Sequence, residues 1–444
     1  MTKSDVAIVG AGFAGLAAAR RVRELGLSAM VIEARPRVGG RVLSLQVGDE
    51  TVEMGAQWIG PGQDRVRALA HEFGLTVRPR PEDGAECFYR PDDSGQGPAC
   101  RVDSAAYDLA AVGAAVMQLD ALAQMVDVAD PIATAEHQLL DAHTVASWAR
   151  SNLPADVHGV IFTICEGFLG APVMVSFLHF LFYAKANGGV AALLGLGVER
   201  HDSEVITEGL SSLAVRLADT LGESIRYATP VRRIVTQPAG ATLYGDTGVI
   251  VEARAVILAV PPIVAGLIAI DPSCNADRMS IERRYIPLSR LKFQLVFDRP
   301  FWRDKGLSGA ISGGSFFTFD GSISERAGVL TGFFGTTEAF ALWSKPQAER
   351  QREALRRVAM MFGDDLPPAR GYDDKFWLDE PFSMGCVAAP GPGVWTHFGH
   401  ALRAHAPPLF RAGSEVATVM PGQIEGAIRS GNDAAEAAAK FIKD

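Results

Sequence analysis

The first 33 residues alternate between apolar runs and glycines in a pattern that predicts a strand, a tight turn, a helix and a second strand. An apolar run of strand length leads into Gly10, Gly12 and Gly15, and the second apolar run ends at Glu33. The first glycine permits the turn, the second lets the backbone approach a pyrophosphate, and the third lets the helix pack on the strand. The Glu33 carboxylate can accept hydrogen bonds from ribose hydroxyls. The unit therefore predicts dinucleotide binding.

The apolar periodicity changes twice further along the chain. Residues 64–74 predict a helix, and glycine then becomes rare from about 79 to 204, where apolar patterns of helical length dominate. Strand-like segments return after residue 205, and residues 289–297 alternate in the way that is typical of a half-buried strand. The predicted inserted helices are 104–126, 132–152, 155–168 and 173–186; the later strands are 224–236, 241–244, 248–253, 255–260 and several within 308–334; the later helices are 346–362 and 421–443.

Segments with strand-like patterns and segments with mainly helical patterns alternate along the chain. We therefore predict two spatial domains that are each assembled from separate pieces of the chain. The predicted class is an α/β and α+β fold, in which a Rossmann-like dinucleotide-binding domain is joined to a substrate domain with a mixed sheet flanked by helices. Residues 1–78, 205–283 and 382–444 are assigned to the first domain, and residues 79–204 and 284–381 to the second.

Composition excludes several classes of function. The 444 residues are 48% apolar and 21% charged, and their formal net charge of −9 argues against a nucleic-acid or anionic-membrane partner. The five cysteines have no metal-ligand spacing, and no apolar stretch approaches the length of a membrane span. We expect a cytoplasmic protein without a metal, since His397, His400 and His405 have no carboxylate or cysteine at ligand spacing.

A series of motifs resembles the flavin-dependent amine oxidases of the monoamine oxidase type, in order and nearly from end to end. The motifs are Gly10, Gly12 and Gly15 with Glu33; Gly39, Gly40 and Arg41; residues 53–58 and 60–65; Pro230 and Val231; Leu291 and Lys292 ahead of 299–302; Trp377; 382–386; 412–415; and 425–427.

The resemblance implies that the cofactor is FAD. Arg35 and Arg41 would pair with diphosphate oxygens, the backbone of Val231 would contact the adenine, and the first N–H groups of the terminal helix, from Gln423 to Glu425, would face the flavin's pyrimidine carbonyl. The predicted cofactor-binding residues are Gly10, Gly12, Gly15, Glu33, Arg35, Gly40, Arg41, Ala56, Gln57, Trp58, Val231, Trp377, Cys386, Gly413, Ser414, Glu415, Gln423 and Ile424.

Lys292 is the predicted catalytic residue. A lysine within an apolar strand is costly unless it is paired or functional, although it could instead face solvent on a polar side of the strand. In the family that this chain resembles, the matching lysine holds a water near flavin N5 and aids the reaction with oxygen. Cys386 matches a cysteine that bonds to the flavin 8α-methyl group in some members, and the sequence leaves that bond open.

The substrate side departs from the family pattern. Two tyrosines form an aromatic cage in mammalian-type members, and Val387 and Gln423 occupy those positions here. Gln423 could hydrogen-bond a polar substrate group. Aromatic walls could come from the 168–183 cluster, which consists of Phe168, Phe177, Phe180, Phe182 and Tyr183. The predicted substrate-contacting residues are Phe168, Phe177, Val387 and Gln423.

The resemblance implies oxidation of a small-molecule amine to an imine, which hydrolyses to an aldehyde or ketone, with O2 as oxidant and hydrogen peroxide as product. An L-amino-acid oxidase remains open, although the sequence shows no arginine clearly placed for a carboxylate. An amine dehydrogenase that passes electrons to a protein acceptor, a flavin-binding redox sensor and a homodimer also remain open.

Overall fold

The structure is a computed structural model that describes residues 2–81, 83–88, 108–194, 204–272, 276–287, 290–312, 316–323 and 327–444. The strands are β1 (Lys3–Val9), β2 (Ala29–Ile32), β3 (Ser44–Val47), β4 (Glu50–Glu53), β5 (Val77–Pro79), β6 (Ala85–Phe88), β7 (Glu204–Ile206), β8 (Ile225–Arg226), β9 (Arg233–Gln237), β10 (Gly240–Gly245), β11 (Gly248–Leu258), β12 (Ala269–Asp271), β13 (Tyr285–Pro287), β14 (Leu291–Phe297), β15 (Leu307–Ser312), β16 (Phe316–Asp320), β17 (Gly328–Phe334), β18 (Gly371–Phe376), β19 (Ala388–Pro390) and β20 (Leu409–Arg411).

The helices follow the predicted segments in most places. They are α1 (Phe13–Glu24), α2 (Asp64–Glu72), α3 (Leu109–Met125), α4 (His137–Ala142), α5 (Val145–Asn152), α6 (His158–Phe168), α7 (Phe177–Ala186), α8 (Val190–Leu193), α9 (Leu210–Asp219), α10 (Pro262–Ala265), α11 (Ala276–Glu282), α12 (Phe301–Asp304), α13 (Thr336–Trp343), α14 (Gln347–Phe362), α15 (Val394–Arg403) and α16 (Ile424–Lys443). Short 3₁₀ turns occur at Pro131–Ala133, Ala155–Val157, Gly222–Ser224, Trp377–Asp379 and Ser414–Val416.

The first sheet is built around the N-terminal unit. Its order is β12-β9-β10-β11-β1-β2-β8, with β20 beside β11, and β1 pairs in parallel with both β2 and β11. Helices α1, α9 and α16 share one apolar core against this sheet. All of its strands come from segments 1–78, 205–283 and 382–444. The predicted α/β and α+β class with a Rossmann-like domain is confirmed, and the domain boundaries remain a prediction.

The second sheet has the order β18-β14-β17-β16-β15-β6 and is antiparallel except for the pair β15 and β6. Helices α13 and α14 pack on one face of it. A third core is helical and joins α3 to α8 with α15, as expected for the inserted region. The small sheet of β13 and β19 links the chain entering the second sheet to the segment that follows Cys386.

Two element predictions are wrong in detail. The predicted helix 132–152 is two helices, α4 and α5. They are separate because the Thr144 side chain caps the N-terminus of α5. The predicted strands 248–253 and 255–260 form one strand, β11, because both segments pair with neighbours along its length. Part of the predicted helix 104–126 lies outside the described residues.

Strand β14 is buried on both faces, whereas its alternation predicts a half-buried strand. Its apolar face packs into the core of the second sheet, and its other face, which carries Lys292 and Gln294, is covered by the hairpin of β3 and β4. The Gln294 side chain donates to the Glu53 carbonyl at 2.6 Å and accepts from Thr331 at 2.8 Å. Polar residues are tolerated there because their hydrogen bonds are made within the protein.

Within the described residues, no helix has the length and apolar character needed to cross a bilayer. The cytoplasmic location and the homodimer remain predictions.

Candidate active site

A cleft of about 440 Å³ opens where β1 and β2 end. The crevice beyond the carboxyl ends of parallel strands is the usual ligand site in such sheets. It brings together most of the predicted cofactor residues, which come from distant parts of the chain. Those that line it are Gly10, Gly12, Glu33, Arg35, Gly40, Arg41, Ala56, Trp58, Val231, Cys386, Gly413, Ser414, Glu415, Gln423 and Ile424.

The glycine loop leaves room for a ligand at the start of α1. Gly10 has φ +104°, and a Cβ there would lie 2.7 Å from the Ala259 carbonyl oxygen. A Cβ on Gly15 would overlap the Gly10 carbonyl oxygen, so Gly15 supports the packing of α1 and lies behind the cleft. At Gly12 the nearest atom is the Gly40 Cα, 3.9 Å from a Cβ placed there. The open side of Gly12 and the uncapped N-terminus of α1 form a cradle for an anion.

Glu33 is 3% exposed and lies at the end of β2. One carboxylate oxygen accepts from the Ala11 N–H at 2.7 Å and the other from the Arg35 N–H at 2.9 Å. A carboxylate has about four acceptor positions, so two remain for hydroxyl groups in the cleft. The Glu33 carboxylate thus holds the glycine loop in place and can still accept the hydrogen bonds expected from a ribose.

Both predicted diphosphate arginines have carboxylate partners within the protein. Arg35 donates to Glu380 at 3.2 Å and to the Ser383 hydroxyl at 2.7 Å. Arg41 pairs with Glu415, which is almost fully buried, and donates to the Ser414 hydroxyl at 3.0 Å. Burial opposes the charge of Glu415, but the Arg41 guanidinium outweighs it and lowers the pKa of that carboxyl. If these arginines also contact phosphate, they would do so in addition to their ion pairs with Glu380 and Glu415.

The second helix N-terminus that meets the cleft is that of α16. No side chain caps it, and Gln423 and Ile424 line the cleft. The prediction that the Gln423 N–H is a free donor is wrong, because it donates to the Met420 carbonyl at 3.2 Å and closes a turn before the helix. The donors available to a ligand therefore begin at Ile424.

Lys292 lies beside the cleft wall and is 3% exposed, which excludes the solvent-facing alternative. Its Nζ donates to the Gly55 carbonyl at 2.9 Å and to Gln57 Oε1 at 2.7 Å. It lies 5.9 Å from the Trp58 ring, which lines the cleft, although Lys292 is not itself among the described lining residues. Burial lowers the pKa of Lys292 to about 8, while the nearby Glu53 carboxylate acts in the opposite direction.

Two further predicted cofactor residues support the wall from behind. Gln57 is 5% exposed and holds Lys292, as described above. Trp377 is buried, and its indole N–H donates to the Met54 carbonyl at 2.8 Å. Both side chains hold the 54–58 segment in place, so Ala56 and Trp58 are the residues of this segment that line the cleft.

Cys386 and Val387 line the end of the cleft near α16. The Cys386 thiol is free and half-buried, and its burial raises its pKa, an effect that Arg41 opposes. Gln423 donates to the Tyr183 hydroxyl at 3.3 Å, and burial raises the pKa of that phenol. A tyrosine from the inserted helices thus reaches the same end of the cleft, although not at a position of the family's aromatic cage.

The 168–183 cluster divides between this region and the core. Phe168 is half-buried, and its ring lies 6.1 Å from that of Tyr183. Phe177 has no exposed surface and stacks on Trp148 at 4.1 Å. The structure therefore contradicts the prediction that Phe177 contacts substrate: its side chain packs in the helical core, on the inward face of α7.

An aromatic face on the second sheet was not predicted. It consists of Phe317, Phe319 and Phe333, which are half-buried, together with Trp58. The Trp58 and Phe319 rings meet edge to face at 5.2 Å, and Phe317 stacks on Phe333 at 4.9 Å. The signal was available, because Phe317 and Phe319 have strand spacing and face the same way. This aromatic face continues the wall that Trp58 provides to the cleft.

A sequence model of flavin-containing amine oxidoreductases matches residues 13–439. A putative flavin-containing monoamine oxidase, AofH, from Mycobacterium tuberculosis is 35% identical, over 99% of this chain and 97% of its own length. An L-amino acid dehydrogenase from Synechocystis sp. is 33% identical, over 98% of this chain and 94% of its own length.

Solved structures show the same fold. Putrescine oxidase bound to putrescine has a TM-score of 0.90 and 27% identity, over 98% of both chains. Cyclohexylamine oxidase from Brevibacterium oxydans IH-35A has a TM-score of 0.90 and 26% identity, over the full length of both chains. The expected family, fold class and enzyme class are confirmed. The chain therefore belongs to the flavin-containing amine oxidoreductases, enzymes in which a bound flavin oxidises an amine.

Proposed function

We propose that the cleft holds FAD along its length. Glu33 and Val231 would hold the adenosine, the N-terminus of α1 the diphosphate, and Cys386 with the start of α16 the flavin ring. The proposal is supported by the cradle at Gly12, which a side chain would fill, and by the free acceptor positions of Glu33. When bound, FAD supplies a two-electron acceptor for the amine and passes the electrons to O2, which yields hydrogen peroxide.

Lys292 acts from behind the wall of the site. As an ammonium it has three N–H donors, of which two reach Gly55 and Gln57. We assign the third donor to a water at the flavin, where a buried positive charge stabilises the negative charge that develops when oxygen takes up electrons. The contact with Gln57 fixes the Lys292 side chain for this task.

The substrate side orients an uncharged amine. Trp58 of the aromatic face and Val387 line the cleft with apolar surface that would exclude water. Gln423 with Tyr183 offers a polar group at the end of the cleft. Only an amine with a free electron pair can release hydride from the adjacent carbon, so the site must take the substrate in its unprotonated form. Phe168 lies next to Tyr183 and narrows the same region.

The observation that carries the proposal is the position of Lys292, buried and bonded to the segment that forms the cleft wall. The test is anaerobic mixing of the purified yellow protein with a panel of amines, followed by admission of air and measurement of peroxide. We expect the amine to bleach the flavin absorbance in wild type and in Lys292→Met, with slower recovery in air for Lys292→Met. Lys440→Met, at an exposed lysine of α16, is the matched control.

Two results would contradict the proposal: a protein that takes up no flavin, or Lys292→Met with recovery in air equal to that of wild type. Recovery with an added electron-acceptor dye but not with air would identify a dehydrogenase instead of an oxidase. Acid precipitation tests whether Cys386 bonds to the flavin. Colour in the pellet that Cys386→Ala abolishes would show a covalent bond, and colour in the supernatant a non-covalent one.

Amino-acid oxidation is the second candidate function. It is favoured by the similarity over nearly the whole chain to the L-amino acid dehydrogenase from Synechocystis sp..

A further inference from the structure

Arg290 is placed beside the same wall as Lys292. It lies directly before β14, two residues ahead of Lys292, and an extended chain with this spacing directs both side chains to one face of the sheet. The Arg290 guanidinium carbon lies 4.4 Å from the centroid of the Phe317 ring. Phe317 stacks on Phe333, whose ring lies 5.5 Å from Lys292 Nζ. The two cations thus lie at opposite ends of one pair of stacked rings.

The backbone also brings Arg290 towards the end of the cleft that Cys386 lines. Pro287, three residues earlier, pairs with Ala388 in the small sheet of β13 and β19. Ala388 directly follows Val387, which lines the cleft. Burial lowers the pKa of Arg290 to about 10, and the carboxylate of Glu166 acts in the opposite direction. Arg290 is therefore a half-buried cation at neutral pH.

Within the described part of the chain, no carboxylate forms an ion pair with Arg290. Arg35 and Arg41, by contrast, each have a carboxylate partner. Glu166 on α6 is near enough to affect the charge of Arg290 but too distant for an ion pair. A half-buried guanidinium without a carboxylate partner is costly unless a ligand supplies the anion.

We propose that Arg290 binds the carboxylate of the substrate, so that the enzyme oxidises an α-amino acid. The proposal rests on the function proposed above and specifies its substrate class. A guanidinium presents two parallel N–H groups that match a carboxylate, and the aromatic face holds the adjoining side chain. The amino acid loses a hydride from Cα and a proton from nitrogen to give an imino acid. Water then releases ammonia and a 2-oxo acid, and O2 takes up the two electrons as hydrogen peroxide.

The test compares pairs of substrates that differ only in the carboxylate, for example L-phenylalanine with 2-phenylethylamine and L-leucine with 3-methylbutylamine. Flavin reduction is followed in the holoenzyme of wild type, Arg290→Met and Arg290→Lys. Arg283→Met, at an exposed arginine after α11, is the matched control. Binding of benzoate and of neutral benzamide, followed through the flavin spectrum, gives a readout that does not depend on turnover.

We expect wild type to react faster with the amino acid than with its decarboxylated partner. Loss of a buried charge-assisted contact predicts that Arg290→Met reduces kcat/KM for the amino acid by about 100-fold and leaves the amine within about 3-fold. Arg290→Lys should retain part of the activity, because it keeps the charge but loses the paired donors. Benzoate binding should be lost in Arg290→Met, while benzamide binding is unchanged.

The inference is overturned if amines reduce the flavin and amino acids do not, or if Arg290→Met slows both substrates equally. In either case the proposed amine oxidation would stand. If neither class bleaches the flavin, the proposed function fails and the inference fails with it.

Discussion

Replacing Lys292 by methionine tests the burial of its charge directly. The ordinary pKa of a lysine is 10.5, and burial lowers that of Lys292 to about 8. Each pKa unit corresponds to about 1.4 kcal/mol, so the buried ammonium costs the folded state about 3 kcal/mol at neutral pH. Methionine has a similar length and no charge, and therefore removes this cost, while it also leaves the Gln57 oxygen without its donor.

The lowered pKa of Lys292 determines whether the free energy of unfolding rises or falls with pH. Because the folded-state pKa lies below the unfolded one, the unfolded chain binds more protons between about pH 8 and 10.5, and stability rises with pH in that window. Relative to Lys292→Met, wild type should gain about 2–3 kcal/mol in free energy of unfolding between pH 7 and 10. Urea denaturation followed by tryptophan fluorescence measures this difference.

Lys440→Met is the matched control for this experiment, because that side chain is exposed and should show no such gain. A difference between wild type and Lys292→Met that stays constant from pH 7 to 10 would refute the reasoning. It would mean that the Lys292 amine keeps an ordinary pKa in the folded protein.

Three further predictions concern the cleft. Gly15→Ala should lower the free energy of unfolding by about 1–3 kcal/mol, because its Cβ would overlap the Gly10 carbonyl oxygen, whereas Gly113→Ala, in open space on α3, should be neutral or stabilising in the same denaturation assay. Arg41→Met should cost about 3–5 kcal/mol at pH 7, since Glu415 is left buried and unpaired. That loss should shrink in acid, as the Glu415 carboxyl binds a proton, and a loss that is independent of pH would contradict this. In stopped-flow experiments the rate of flavin reduction should rise with pH through the pKa of the amine, and a flat profile would count against an unprotonated substrate.

Much of the cofactor cleft could be predicted from the sequence because its signals are local. Gly10, Gly12 and Gly15 determine one turn, and Glu33 follows at a fixed distance along the chain. Lys292 could be selected because an apolar strand contained one lysine. Its burial could not be predicted, since the covering hairpin lies about 240 residues earlier in the chain.

The substrate side shows where local patterns are insufficient. Phe177 and Phe317 look alike in the sequence, yet the first lies in a core and the second on the aromatic face. The side of α7 that is covered depends on Trp148 from another helix. The carboxylate-binding role proposed for Arg290 could not be predicted from local patterns, because the argument for it depends on its contact with Phe317 and on the pairing of β13 with β19.

The order in which the cleft is assembled has a consequence for biosynthesis. Val6 in β1 pairs with Ala255 in β11, and Gly10 lines the same cleft as Gln423. At 5–20 residues per second a ribosome needs about 20–80 seconds to travel between those two lining residues. Until then the first sheet in the nascent chain lacks β20 and α16, which pack against it in the folded protein. Flavin capture by the complete cleft therefore requires that α16 has been synthesised, and any chain that stops before α16 should leave the ribosome colourless.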